Sequence, residues 1–376
     1  MKIKHLFFTL SVFITLLSCE KKKDKANHHG EIIKVLLDEA NFENVKNISK
    51  YINHTELIKL EEHVAESIFG MANKITVKNN LLYIMDSNYK KLLVFDLQGK
   101  FVRKIGTRGN GPGEYQNLTD FHVDSIGNTI ILDGNREKLY WYDSSGKFLK
   151  DKKYPFEADT FTILENDQYL FGLASYNRYK YEGNQIITTT KSFDKVDAFF
   201  EYSKYVDDNF SFDYYFVEGD KSILYNRPID NNVHQLSKTG KLEKTYTFDF
   251  GNLNYPDEAK KNIEKNLNEK YCHLFSVPLI SHGLMFGNLK FGKLFFSFIY
   301  DIKTKEIYLN NFENYAIKDV NFPIGITDDS KIISYTNSGL FSLIAAEINI
   351  NFPDEYKEYL DAGGHIICIT ELIGSK

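Results

Sequence analysis

The chain is poor in cysteine and proline, with three and seven of these residues among 376. Once Cys19 is set aside, Cys272 and Cys368 are left, and they are either paired in one disulfide or buried as free thiols. No proline- or glycine-rich linker divides the sequence, which favours one large domain over residues 31–376. Beyond residues 6–17 no apolar run is long enough to be a candidate transmembrane segment.

The chain also lacks a concentration of positive charge. Its formal net charge is −5, its isoelectric point is about 6.1, and its lysines and arginines are dispersed. A nucleic-acid-binding surface needs a basic patch to neutralise phosphates. We therefore expect no nucleic-acid partner.

Motifs of common catalytic and metal-binding sites are missing as well. The sequence contains neither a G-x-S-x-G nucleophile elbow nor a G-x-x-x-x-G-K-[ST] phosphate loop. Its histidines are scattered and show no H-x-H or H-E-x-x-H spacing. We predict no catalytic residue, no metal ligand and no cofactor.

The N-terminus has the pattern of an export signal. Two lysines precede the apolar run of residues 6–17, which ends in L-L-S-C and resembles a bacterial lipobox. This pattern predicts a lipoprotein signal peptide over residues 1–18, lipidation of Cys19 and a flexible tether over residues 19–30. The protein would be held by this lipid in the bacterial cell envelope, with the outer membrane favoured and the leaflet left open. The alternative is an ordinary secretory signal with an incidental cysteine.

A strand-turn-strand unit recurs after 47 residues. Residues 81–105 read L-L-Y-I-M-D-S-N-Y-K-K-L-L-V-F-D-L-Q-G-K-F-V-R-K-I, and residues 128–150 repeat them in register, so that Asp86 matches Asp133. Self-similarity at this period, in a unit made of short strands, is typical of a β-propeller.

The number of units predicts six blades. Gly240 lies 141 residues, or three periods, after the equivalent Gly99, so one poorly matching repeat fills the gap. Further units follow at residues 294–308 and 331–343. We predict an all-β fold, a six-bladed β-propeller of four-stranded antiparallel blades over residues 31–376.

Several segments depart from the repeat. A lysine-rich run predicts a short helical insertion at about residues 256–271. Residues 353–372 predict a helix and a closing strand, and residues 55–60 predict a strand that joins the last blade, so that the ring has no open edge. A tyrosine-rich connection at residues 176–181 predicts an exposed aromatic group.

Four motifs resemble those of the six-bladed β-propeller lipoproteins of Gram-negative bacteria, a group related to NHL-repeat propellers. They are Y-I-M-D at residues 83–86, V-F-D at 94–96, G-K-F at 99–101 and G-N-G-P-G-E-Y at 109–115. The resemblance is specific over residues 55–153, and the later blades lack the G-P-G loop. It implies the fold and the envelope location rather than an activity. Some related propellers bind Ca²⁺ or Zn²⁺ on their axis and act as lactonases or lyases, so an axial ion stays open.

Strand alternation predicts that one face of the ring collects several loops. The loop between the second and third strands of a blade leaves the same side as the loop to the next blade. We predict that this face binds a polar ligand. Its candidate residues are Asp86, Arg108, Asn110, Glu114, Tyr115, Asp133 and Arg136. The glycine cluster is either an anion-binding nest or a simple crossing between blades, and we favour the crossing.

We predict a lipid-anchored, non-catalytic binding or scaffold module for an envelope protein, a glycan or a peptide. A propeller rim offers a broad concave surface, and no acid/base or metal set is readable in the sequence. The alternative is a metal-dependent lactonase- or lyase-type propeller enzyme, which requires Asp or His side chains that converge on the axis. A third possibility is a structural role in an envelope complex.

Overall fold

The structure, a computed structural model, describes part of the 376-residue chain. The described residues are 30–43, 48–61, 64–174, 181, 183–202, 215–219, 221–227, 229–266, 269–311, 322–340 and 353–374. The predicted signal peptide, Cys19, nearly all of the tether and residues 176–180 lie outside this part. Tyr181 is described, and its ring packs on Phe156.

Two strands precede the first blade. They are β1 (Glu31–Leu36) and β2 (Ile52–Lys59), separated by helix α1 (Glu39–Glu43) and a 3₁₀ turn at Ser49–Tyr51. Both strands join blades that are formed much later in the chain, as described below.

The first three blades are four-stranded antiparallel sheets in simple up-and-down order. Blade 1 contains β3 (Lys74–Lys78), β4 (Leu81–Asp86), β5 (Lys91–Asp96) and β6 (Phe101–Lys104). A small parallel pair, β7 (Thr107–Arg108) and β8 (Glu114–Tyr115), lies in the connection to blade 2. Blade 2 contains β9 (Asp120–Val123), β10 (Thr129–Asp133), β11 (Lys138–Tyr142) and β12 (Phe148–Lys153). Blade 3 contains β13 (Ala158–Ile163), β14 (Tyr169–Leu173), β15 (Asn184–Thr189) and β16 (Lys195–Glu201).

The next three blades carry variations on this plan. Blade 4 contains β17 (Val217–Glu218), β18 (Ser222–Tyr225), β19 (Asn232–Ser237) and β20 (Leu242–Asp249). Two short helices follow, α2 (Asp257–Lys260) and α3 (Ile263–Asn266). Blade 5 contains β21 (Cys272–Leu274), β22 (Leu279–Ser281), β23 (Leu284–Phe291), β24 (Leu294–Asp301) and β25 (Ile307–Asn311). Blade 6 contains β26 (Phe322–Ile326), β27 (Ile332–Asn337) and β28 (His365–Leu372), with α4 (Asp354–Asp361) before its last strand.

The ring is closed by an early strand of the chain. β2 pairs antiparallel with β28 and forms the outermost strand of blade 6, with Leu57 opposite Cys368. Blade 6 is therefore completed by the strand that precedes blade 1 in the chain. This closure removes the open edges that a linear array of blades would have.

The core consists of apolar clusters between neighbouring blades. A cluster around Val94 and Ile131 joins blades 1 and 2, and one around Ile84 and Ile367 joins blades 6 and 1. Each of the other four blade junctions has a similar cluster. Because every blade is buried on both faces, its central strands are almost continuously apolar rather than alternating.

The fold confirms the predicted six-bladed propeller, and two blades depart from the predicted four-stranded pattern. Blade 4 has five strands, because β1 adds parallel to the outer strand β20. In blade 5 the first strand is divided into β21 and β22, which both pair with β23. The predicted helical insertion at about residues 256–271 contains two one-turn helices, α2 and α3.

Candidate functional site

The glycine-rich loop between blades 1 and 2 is held by its own side chains. The Glu114 carboxylate accepts a hydrogen bond of 2.7 Å from the backbone N–H of Gly111. A Cβ atom at Gly109 would lie 2.0 Å from the same carboxylate. The protein's own anion therefore occupies the concave side of this loop, where a nest would hold an external one. This geometry favours the crossing interpretation.

A hydrogen-bonded network covers the loop from the side of blade 2. Arg136 donates from its guanidinium to the Glu114 carbonyl, at 3.2 Å, and to Asn110 Oδ1. The Gln116 side-chain amide donates to the carbonyl of Gly109 at 2.8 Å and to Asn110 Oδ1 at 2.7 Å. The predicted residues Asn110, Glu114 and Arg136 thus meet in one cluster, and their polar atoms bind mainly to each other.

Asp86 and Asp133 are fully buried and bind backbone amides. Asp86 accepts from Gly70 N at 2.7 Å and from Asn88 N at 2.8 Å. Asp133 accepts from Gln116 N at 2.7 Å, and thereby holds the loop that leads into blade 2 as Asp86 holds the loop that leads into blade 1. Their recurrence after 47 residues follows from this shared structural role.

The remaining predicted residues differ in exposure. Tyr115 is fully buried, and its hydroxyl donates to the Lys90 carbonyl at 2.9 Å. Burial, with the nearby Asp133 carboxylate, raises the pKa of Tyr115 well above its ordinary value. Arg108 and Asn110 are exposed. Of the seven predicted residues, these two are the exposed ones, and Asn110 Oδ1 also accepts hydrogen bonds from Arg136 and Gln116.

A second candidate site lies on the axis of the ring, where the first strands of several blades surround a cavity. The cavity encloses about 650 Å³ including its open mouth. None of the seven predicted residues lines it. Its polar lining residues are Lys74, Thr76, Lys78, His122, Glu218, Lys238 and Asp328.

At one end of the cavity a buried ion pair crosses from blade 1 to blade 2. The Lys74 ammonium donates to Asp120 Oδ1 at 2.7 Å and to the Phe121 carbonyl at 2.8 Å. The other carboxylate oxygen of Asp120 accepts from the Thr160 hydroxyl at 2.7 Å. The Thr160 hydroxyl in turn accepts from Phe216 N at 3.2 Å, so this layer connects four blades.

The next layer contains a histidine-carboxylate pair. His122 Nδ1 lies 3.0 Å from Glu218 Oε1, and the Thr162 hydroxyl donates to the same oxygen. Burial acts to raise the pKa of Glu218, but the His122 ring and the hydrogen bonds from His122 and Thr162 hold it well below its ordinary range. Glu218 is therefore ionised at neutral pH, and its side chain is 34% exposed to the cavity.

The cavity opens on the face opposite the glycine-rich loop. Lys78 and Glu218 end the first strands of blades 1 and 4, and Asp328 follows the first strand of blade 6. Lys238 lies in the turn between β19 and β20. First-to-second and third-to-fourth strand connections share one face, while the loop to the next blade leaves the other. The predicted rim and the cavity mouth therefore belong to different faces of the ring.

Sequence reasoning missed His122 and Glu218 because they are 96 positions apart and form no motif. The repeat gave no signal for the axial residues. Lys74 pairs with Met85 and Asp120 pairs with Leu132, which follows Met85 by 47 residues, so Lys74 and Asp120 are equivalent positions in the structure. In the sequence, however, the 47-residue period leads from Lys74 to Phe121.

The described residues lack two further features. Within these ranges, no three or more His, Cys, Asp or Glu side chains come together in a group that could hold a metal ion. Across the same residues, no helix has the length and apolar character needed to cross a membrane. Cys272 and Cys368 are buried free thiols.

The chain belongs to the family described as Domain of unknown function (DUF4934), which matches residues 32–362. No curated protein matches the chain.

Solved structures share the fold. A Bacteroides fragilis protein described as a "Putative exported protein" has a TM-score of 0.73 and 18% identity, with 91% of this chain and 99% of that chain covered. A member of the DUF4221 family from Bacteroides vulgatus has a TM-score of 0.49 and 9% identity, with 86% and 98% covered. Virginiamycin B lyase from Staphylococcus aureus has a TM-score of 0.42 and 14% identity, with 75% and 81% covered. At these identities the similarity concerns the fold alone.

Proposed function

We propose that this member of the DUF4934 family is a non-catalytic binding module of the bacterial cell envelope, held outside the cytoplasm by lipid on Cys19. The export-signal pattern of residues 1–18 and the L-L-S-C sequence support this location. The name of the Bacteroides fragilis protein, which is similar over nearly its full length, is in agreement with export. The partner is an envelope protein, a glycan or a peptide.

The axial cavity is the observation that carries the proposal. It is open, it lies where the first strands of several blades converge, and three ion pairs within the protein fix most of its charges. Ligand sites are commonly concave and preformed, with a few well-placed polar groups. On the opposite face, the exposed Arg108 and Asn110 offer a second surface for the same partner or another one.

The first test is purification of the full-length protein from its native cells in a gentle detergent, followed by mass spectrometry of the material that accompanies it. A Cys19→Ser form is the control for lipid attachment and is expected to leave the membrane fraction. Arg108→Glu and Lys238→Glu then distinguish the rim from the cavity mouth, with exposed Lys241→Glu as the matched control. A partner lost from one variant and kept by the control identifies the binding surface. Purification of the protein alone in every case would contradict a stable envelope partner.

Catalysis of the lactonase or lyase type is a second candidate, and the His122–Glu218 pair favours it. A carboxylate that binds one ring nitrogen of a histidine orients the other nitrogen for proton transfer. This reading requires that Glu218→Gln and His122→Gln abolish a turnover that the wild-type protein performs on a ligand of the cavity. Binding that persists in both variants, with no product formed by the wild type, excludes it.

A further inference from the structure

Two polar groups of the axial cavity have no partner among the described residues. Lys74 is held by Asp120, and Lys78 forms an ion pair with Asp328 at 2.9 Å. By contrast, the half-buried Lys238 ammonium has no ion-pair or hydrogen-bond partner within the described part of the chain. In the same region, His122 and Thr162 both bind Oε1 of Glu218, and Oε2 accepts no hydrogen bond from a described residue.

The positions of these two groups define what a ligand must supply. Lys238 is close enough to Glu218 to lower the pKa of that carboxyl electrostatically. Its backbone is fixed, since its carbonyl accepts from Glu165 N at 3.0 Å. A ligand that satisfies both groups carries one anionic group for the Lys238 ammonium and one hydrogen-bond donor for Glu218 Oε2.

The other residues that line the cavity restrict the class of ligand further. The ammonium of Lys78, the carboxylate of Asp328 and the hydroxyl of Thr76 place donors and acceptors side by side around the mouth. Tyr215 adds an aromatic wall, with its ring centroid 5.5 Å from Lys74 Nζ. Sugar hydroxyls both donate and accept hydrogen bonds, and the C–H face of a sugar ring packs on aromatic side chains.

We propose that the axial cavity binds a uronic acid unit of a glycan. The sugar carboxylate pairs with Lys238, a ring hydroxyl donates to Glu218 Oε2, a second hydroxyl accepts from Lys78, and the ring lies against Tyr215. This inference rests on the proposed binding function and names the ligand class of its axial site. A peptide with a free terminal carboxylate would satisfy Lys238, but it offers fewer hydroxyl-like groups to the mixed donors and acceptors of the mouth.

The test is calorimetric titration of the full chain carrying Cys19→Ser with glucuronate and galacturonate, each compared with its neutral counterpart, glucose or galactose. Each acid and its counterpart differ at C6, where one has a carboxylate and the other a hydroxymethyl group. We expect at least one acid to bind about tenfold or more tightly than its neutral counterpart, because the charge-assisted bond to Lys238 is formed by the acid alone.

Two substitutions test which residue binds the carboxylate and which binds a hydroxyl of the sugar. Lys238→Met should remove the preference for the acid, while Lys241→Met, an exposed lysine in the same turn, should leave it unchanged. Glu218→Gln should weaken the binding of the acid and of the neutral sugar by a similar factor, since Glu218 binds a hydroxyl that both sugars possess. An acid preference that survives Lys238→Met would overturn the assignment of the carboxylate to this lysine.

Titration with a peptide distinguishes failure of this inference from failure of the proposed function. If trialanine binds in a Lys238-dependent manner and neither uronate binds, the ligand class is wrong and the binding function stands. If no sugar or peptide binds and no partner is purified with the lipidated protein, both proposals fail.

Discussion

At the scale of single residues, Lys74 places a positive charge of the protein itself on the ring axis. Its ammonium binds a carboxylate oxygen and a backbone carbonyl, and Asp120 is fully buried. Removal of one partner of such a pair leaves an uncompensated buried charge. We expect Lys74→Met to lower the free energy of unfolding by about 3–5 kcal/mol, measured by denaturant titration.

Two controls accompany this prediction. The double variant Lys74→Met with Asp120→Asn should recover much of the loss, because no charge is then left unpaired. Lys78→Met breaks an ion pair whose Asp328 side chain is 72% exposed, and it should cost no more than about 1 kcal/mol. Equal losses for Lys74→Met and Lys78→Met would contradict this view of the axial pair.

Buried histidines predict a loss of stability in mild acid. Burial lowers the pKa of His234, His273 and His365 to about 4. In the unfolded chain these rings titrate near the ordinary value of about 6.5. Between these values the unfolded chain binds more protons than the folded one, so stability is full above about pH 6.5 and falls as the pH decreases towards 4.

His273 is the residue with which to test this dependence, since neither of its ring nitrogens has a hydrogen-bond partner within the described ranges. His273→Phe removes one titrating ring and two unsatisfied polar atoms. We expect the variant to lose about 2–3 kcal/mol less than the wild type between pH 7 and pH 4, in denaturant titrations at a series of pH values. Parallel stability curves for the two proteins would show that His273 does not contribute.

At the scale of elements, the pairing of β2 with β28 closes the ring. Thr55 and Thr370 face each other across this pair, with their hydroxyl oxygens 3.1 Å apart. A disulfide between Thr55→Cys and Thr370→Cys would join strands that are 315 residues apart in the chain. Because a long closed loop restricts the unfolded chain, we expect the oxidised form to be more stable than the reduced form by about 2–5 kcal/mol.

The measurement is thermal unfolding of the double variant with and without reductant. The wild-type protein, whose Cys272 and Cys368 are free and buried, is the control and should show no such difference. An oxidised variant that melts at the same temperature as its reduced form would indicate that the closing strand separates without unfolding the ring.

Elements also show how far the sequence could be read. The blade count followed from Asp86 and Gly99, since turns that need a carboxylate acceptor or a positive φ recur in every well-matched unit. The division of blade 5 at β21 and β22 and the parallel addition of β1 depend on pairings distant in the chain. No local pattern in the sequence predicts these pairings.

The candidate site was harder to predict for a related reason. The repeated residues Asp86 and Asp133 bind backbone amides in equivalent loops of their blades. The recurrence of residues in the sequence therefore identified positions that stabilise the fold rather than positions that bind a ligand. At the axis, equivalent positions carry different residues, as Lys74 and Asp120 show, because there they complement one another. Contacts between such residues of different blades can be identified only once the structure of the closed ring is known.

At the scale of the whole molecule, the axis distinguishes the binding function from the metal-dependent alternative. Asp120 and Glu218, two carboxylates near the axis, are bound by Lys74 and by His122 with Thr162. A divalent ion would have to displace these donors from buried or half-buried positions. We therefore expect EDTA to leave the melting temperature of the full chain unchanged. Added Ca²⁺ or Zn²⁺ should likewise give no increase, whereas a protein that relied on an axial ion would be stabilised in proportion to its occupancy. A melting temperature that falls with chelator and returns with one ion would instead support the metal-dependent enzyme.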